Sequence, residues 1–217
     1  MLPSSAQIVC SISAVGGAYD AGQQTYAFDV VNGVTAIARF PFTDVAESRW
    51  SYPYIRQLYD AGVISGMTAT TFAPAENMTR AQFVTMLAGL QGADVSAYKT
   101  GKFTDVPADA WYAPYVSWAA ENGIVHGVSD TAFAPDANIS RQDMAVMVYR
   151  YAERFGIRLG TDVPPITFTD AGDIAAYALP AVQALQRAGV ISGMPDGSFR
   201  PREHMTREQA CVVLSAL

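Results

Sequence analysis

The sequence predicts a mainly α-helical fold, built from three tandem helix–loop–helix units and preceded by a small β segment. Three observations predict it. One four-residue stretch is written three times, as Thr79-Arg80-Ala81-Gln82, Ser140-Arg141-Gln142-Asp143 and Thr206-Arg207-Glu208-Gln209. Each copy follows an aromatic and a proline at the same offset (Phe72 and Pro74, Phe133 and Pro135, Phe199 and Pro201) and opens a mostly apolar run. From Phe42 onward whole blocks return with a period somewhat above sixty residues, the mark of a repeat architecture.

Residues 1–40 differ from the rest. Ile8, Cys10 and Ile12 alternate with polar neighbours, as do Tyr26, Phe28 and Val30. Asn32-Gly33 predicts a tight hairpin turn, with Val34, Ala36 and Ala38 continuing beyond it. Two or three antiparallel strands are expected here. They are too few for a core of their own, so the segment reads as the tail of an upstream β domain or an add-on packed against the helical units.

The units are expected over 41–100, 101–165 and 166–217. Phe42-Thr43-Asp44, Phe103-Thr104-Asp105 and Phe168-Thr169-Asp170 open them. Trp50, Trp111 and Tyr177 come next, each three residues before Pro53, Pro114 or Pro180, and proline fits a first helical turn. Ile55 and Leu58, Val116 and Ala119, and Val182 and Leu185 give each first helix a buried face. Gly62, Gly123 and Gly189 are the expected stops. A loop containing Gly66, Gly127 or Gly193 then leads to the Phe-x-Pro element and the second helix. Such units bury their apolar faces only against neighbours. Stacking as a short solenoid and closing into a threefold bundle both satisfy that requirement.

The four-residue stretch reads as a helix start. Thr79, Ser140 and Thr206 are N-caps, and Gln82, Asp143 and Gln209 stand where a side chain reaches back to the cap. Arg80, Arg141 and Arg207 are not explained by this. They sit in the first turn, where the helix dipole favours anions. Something negative is therefore expected opposite them: a neighbouring unit's carboxylate, or an anionic ligand held by Arg and free backbone N–H groups.

Bulk composition excludes several classes. Half of the 217 residues are hydrophobic and 16% are charged, an ordinary globular balance. A net charge of −6 without a Lys/Arg run argues against nucleic acid and against an anionic membrane surface. No apolar stretch is long enough to span a bilayer, and the N-terminus lacks a secretion signal, so an extracellular protein is expected to be a processed or excised piece. Cys10 and Cys211 lie far apart, and no Cys/His spacing suits zinc. Cys211 reads as a small core residue. No cofactor or metal is expected.

These blocks in this order resemble the S-layer homology module, whose hallmark is a Thr-Arg-Ala-Glu tetrad; the resemblance covers residues 42 to 217. It implies an all-helical, pseudo-threefold spindle with grooves between modules. It also implies a non-catalytic, extracellular role, anchoring a longer surface protein to acidic, often pyruvylated, secondary cell-wall polysaccharide. Carried over by position, Arg80, Arg141 and Arg207 contact the sugar, beside Thr79, Ser140 and Thr206, while Gly66, Gly127 and Gly193 allow its close approach. Gln82, Gln209 and Asp143 depart from the usual Glu, Tyr177 replaces Trp, and His126 stands where the other loops have Ser. His126 reads as a solvated loop residue.

A protein–protein assembly module without glycan binding is the alternative. A glycan hydrolase is disfavoured: Asp44, Asp105 and Asp170 recur threefold and read as helix caps, whereas a hydrolase needs one asymmetric carboxyl pair. Trp50, Trp111 and Tyr177 are expected to fill the core rather than stack on sugars. The central module is expected to hold the most intact site, with Arg141→Ala weakening glycan binding and leaving the fold intact.

Overall fold

The computed structural model describes residues 7–9, 18–20, 25–27, 35–37, 40–98 and 101–217. The chain divides into two compact units between Pro41 and Phe42. In the first, β1 (Gln7–Val9) pairs antiparallel with β4 (Thr35–Ile37), and β2 (Ala18–Asp20) with β3 (Thr25–Ala27). Beyond these fragments the small β segment expected over 1–40 is not shown. The Asn32-Gly33 turn and the strand residues Cys10, Ile12, Phe28, Val30, Val34 and Ala38 lie outside the described residues.

The second unit is helical. Its helices are α1 (Tyr52–Asp60), α2 (Arg80–Gln91), α3 (Ala113–Glu121), α4 (Arg141–Phe155), α5 (Leu179–Arg187) and α6 (Arg207–Ser215). In α1, α3 and α5, Pro53, Pro114 and Pro180 occupy the first turn, where a missing N–H costs nothing. Gly62, Gly123 and Gly189 sit just beyond the last turn at φ near +72°, a left-handed conformation that glycine adopts without a Cβ penalty. The expected faces are buried, with Ile55, Leu58, Val116, Ala119, Val182 and Leu185 all at 2% exposure or less.

The second helix of each module begins with an extended cap residue. The hydroxyls of Thr79, Ser140 and Thr206 accept from the backbone N–H of Gln82, Asp143 and Gln209. Gln82 and Gln209 return the bond to the cap N–H, completing a capping box. Asp143 does not. One methylene shorter, its carboxylate turns to another module instead.

Modules close into a ring, as the resemblance implied, and do not stack as a solenoid. α2 packs on α3, α4 on α5 and α6 on α1, so each second helix covers the next module's first helix. A backbone triangle repeats the pattern at the centre. Ile139 N donates to Met78 O at 2.9 Å, Met205 N to Ile139 O at 3.0 Å, and Met78 N to Met205 O at 2.9 Å. All three side chains are fully buried. Sequence-distant ends meet here, and Arg49 and Ser51 before α1 both donate to the buried carboxylate of Glu208 on α6.

The repeated aspartates are not helix caps. Asp44 accepts from the N–H groups of Phe72 and Ala73, Asp105 from those of Phe133 and Ala134, and Asp170 from those of Phe199 and Arg200. In every case the middle residue of Phe-x-Pro is left-handed: Ala73 at φ 59°, Ala134 at 57° and Arg200 at 57°. That conformation costs a non-glycine residue about 1–2 kcal/mol. Two charge-assisted hydrogen bonds from the strained peptide to one carboxylate offset it. The loop glycines have a packing reason as well: a Cβ on Gly66 would stand 2.5 Å from the Phe42 ring, and one on Gly127 2.6 Å from the Phe103 ring.

Desolvation pushes the Asp105 carboxyl upward, but the N–H groups of Phe133 and Ala134 and the charge of Arg80 outweigh it, so its value lies below the ordinary 3.8. A depressed carboxyl contributes stability that is fully present above 3.8 and is lost as pH falls through its folded-state value. Asp105→Ala is expected to lower unfolding free energy by about 2 kcal/mol at neutral pH, read by urea denaturation. The gap to wild type should narrow steadily below about pH 4.

Candidate functional site

Because each tetrad Arg is the first residue of its helix and comes after an extended cap, its side chain runs sideways into the next module. Arg80 Nε donates to Phe133 O at 2.9 Å, Arg141 Nε to Phe199 O at 2.7 Å and Arg207 Nε to Phe72 O at 2.8 Å. Each guanidinium also lies over the ring of that same Phe, 4.5–4.9 Å from its centroid. All three are buried, and desolvation lowers their pKa.

The guanidinium groups thus face mainly carbonyl oxygen and a ring face. Arg207 and Arg141 extend a further N–H to the loop carbonyls of Ser65 and Ser192, both at 3.2 Å. Arg80 has a carboxylate partner, Asp143 at 3.7 Å. Of the two anions expected opposite every Arg, a neighbouring module's carboxylate stands against Arg80, whereas Arg141 and Arg207 bond carbonyl oxygens. The expectation that Arg141 is dispensable to the fold is corrected, since the side chain is buried and bonded to two carbonyls of the third module.

Grooves open beside the guanidinium groups of Arg207 and Arg80, and each draws on three modules. The first, of about 290 Å³, joins Arg207 of module three, the Ser65-Gly66-Met67 loop and Gln82 of module one, and Trp111 of module two. The second, of about 410 Å³, joins Arg80 of module one, His126, Gly127, Asp143 and Arg150 of module two, and Tyr177 of module three. Members of one tetrad therefore part company, Arg80 going to one groove and Gln82 to the other. Thr79, Ser140 and Thr206 stay at the helix caps, and Gln209 is held by its capping box. Arg141 reaches Ser192, next to Gly193, as Arg207 reaches Ser65 next to Gly66.

The aromatic expectation is overturned. Trp50, Trp111 and Tyr177 are 58–60% exposed, and Trp111 and Tyr177 form groove walls. Their fixed spacing ahead of proline marked them, but spacing does not say which side of the chain faces outward. Arg150 and Met67 carried no sequence signal, and Met86 only that of an apolar helical run. Tyr177 donates to Asp143 Oδ1 at 2.7 Å and accepts from Gln142 Nε2. Burial and the Asp143 charge push its phenol up to about 12. Among the described residues no group of three His, Cys, Asp or Glu is placed to hold a metal ion, and no helix is long and apolar enough to cross a membrane.

A family model described as the S-layer homology domain matches residues 41–84, 102–145 and 167–211. An endoglucanase of Bacillus sp. (strain KSM-635) is 39% identical over 178 residues, 82% of this chain and 19% of the relative. The surface-layer 125 kDa protein of Lysinibacillus sphaericus is 32% identical over 204 residues, 89% of this chain and 17% of the relative. A cellulosome-anchoring protein of Acetivibrio thermocellus is 32% identical over 160 residues, covering 71% of this chain and 35% of the relative. The chain spans about a third or less of each of these proteins.

Arg141→Ala is expected to lose about 3 kcal/mol of stability, with Arg141→Lys intermediate, measured by denaturant unfolding. Cys211 is fully buried, and burial pushes its thiol up to about 12 against the opposing charge of Arg207. It should therefore resist alkylation at about pH 8 in the native state and react once the protein is unfolded.

Proposed function

Because this chain belongs to the S-layer homology domain family, we propose that residues 42–217 anchor a longer bacterial surface protein to an acidic, pyruvate-bearing cell-wall polysaccharide. The single observation that carries this is the first groove. There a buried guanidinium, bonded to two carbonyls and lying on the Phe72 ring, edges a cleft that the exposed indole of Trp111 also lines. A carboxylate suits the first, since a charge-assisted bond shielded from water contributes about 1.5–3 kcal/mol. A sugar ring suits the second, since its apolar face packs on an aromatic one. The nearby loop Ser65-Gly66-Met67 supplies backbone groups within reach of ring hydroxyls.

One such contact gives modest affinity. More than one groove on a rigid ring, engaging a repeating polymer, gives avidity without any new contact. Anchoring then needs no catalytic group, and the role is non-catalytic. The activity named for the endoglucanase relative is not carried over, because the chain spans 19% of that protein. The names of the surface-layer and cellulosome-anchoring relatives support an extracellular, cell-surface location.

Co-sedimentation with purified cell-wall polysaccharide linked to peptidoglycan tests this. Binding should fall at least tenfold after mild acid removes ketal-linked pyruvate. Trp111→Ala should weaken binding about fivefold and leave the melting temperature within about 2 °C, since the indole is exposed. Binding that survives pyruvate removal unchanged would favour a protein–protein assembly module.

A further inference from the structure

The two grooves share one plan but differ in what faces the guanidinium: Gln82 beside Arg207, and Asp143 beside Arg80. In the first, the position three residues after the helix cap is Gln82, whose amide oxygen is engaged by the cap N–H of Thr79. In the second it is Asp143, which is too short for that bond and lies in the groove against Arg80, at 3.7 Å. Tyr177 pins the carboxylate there by donating to its other oxygen at 2.7 Å. The other charged or titratable groups lining this groove are Arg150 and His126. His126 is kept toward its neutral form by desolvation and by the charges of Arg150 and Lys102.

We propose that Asp143 is a specificity-determining residue. It serves as a built-in counter-ion for Arg80, so that the acidic sugar is taken by the Arg207 groove and excluded from the Arg80 groove. This rests on the glycan-binding reading. A carboxylate ligand entering the second groove has to displace or approach Asp143, and like charges at close range are repulsive. The same ligand in the first groove meets Arg207, Gln82 and no acid among the lining residues. The central module, which most closely keeps the acidic tetrad position, thus becomes the one whose acid occupies the ligand's place.

The test uses amide NMR shifts of Gly66 and Gly127, one reporter for each groove, in the full chain. The probes are a hexose methyl glycoside bearing a ketal-linked pyruvate and the methyl ester of the same compound. In the wild type, the free acid should shift Gly66 with at least tenfold higher affinity than Gly127. The ester, lacking the charge, should lose most of its affinity for the Gly66 groove. Asp143→Gln, which keeps the backbone bond to Ser140 and restores the residue type that caps α2 and α6, should raise the affinity reported by Gly127 about tenfold for the acid. Gln82→Asp should do the reverse at Gly66. Equal affinities in the wild type, or an unmoved Gly127 in Asp143→Gln while Gly66 still responds, overturn the proposal alone. Silence of both amides toward both probes, in wild type and variants, overturns the glycan reading and this proposal with it.

Discussion

The guanidinium that each module sends into its neighbour is the contact on which the ring depends. Arg80 reaches module two, Arg141 module three and Arg207 module one, each donating to a Phe carbonyl and lying on the same Phe ring. A buried guanidinium without acceptors would be strongly destabilising, so these carbonyls have to be in place for the helix starts to pack. The requirement is cyclic: no module can meet it by itself, and two modules would leave an Arg unmatched.

The rest of each module serves that carbonyl. It points at the neighbour's Arg because the residue after the Phe is left-handed, and that turn is held by the Asp of Phe-Thr-Asp through two N–H bonds. The Phe two residues before that Asp fills the space that Gly66, Gly127 or Gly193 leaves by having no side chain. A repeated Asp, Phe, Gly and Arg, scattered along the sequence, therefore form one connected device. Charge runs through it from carboxylate to peptide to guanidinium, with the Phe core as its dry wall.

The proposed ligand site uses the outer edge of this device. The Nε side of each Arg is committed to the fold, while the outer side of the Arg80 and Arg207 guanidinium groups borders a groove completed by a third module's aromatic residue. A structural cation held by neutral dipoles keeps its charge available, whereas one held by a carboxylate does not. In the proposed function the same residue supports the fold and offers a ligand contact, and the identity of one neighbour, Gln82 or Asp143, sets how much charge remains.

Local order was readable from the chain alone. Caps, first-turn prolines, stop glycines and the buried faces at Ile55, Val116 and Val182 are short-range features, fixed by hydrogen bonds and periodicity within a few residues. The sequence also marked Arg80, Arg141 and Arg207 as unexplained by helix chemistry. Tertiary structure alone decided what they meet. Closure places Phe72 against Arg207, distant in sequence, turns Trp111 outward and Asp143 away from its cap, and assembles each groove from three modules. Spacing along a chain records which groups are near in sequence; partners across a closed ring are set by how its surfaces fit, and no local pattern encodes that.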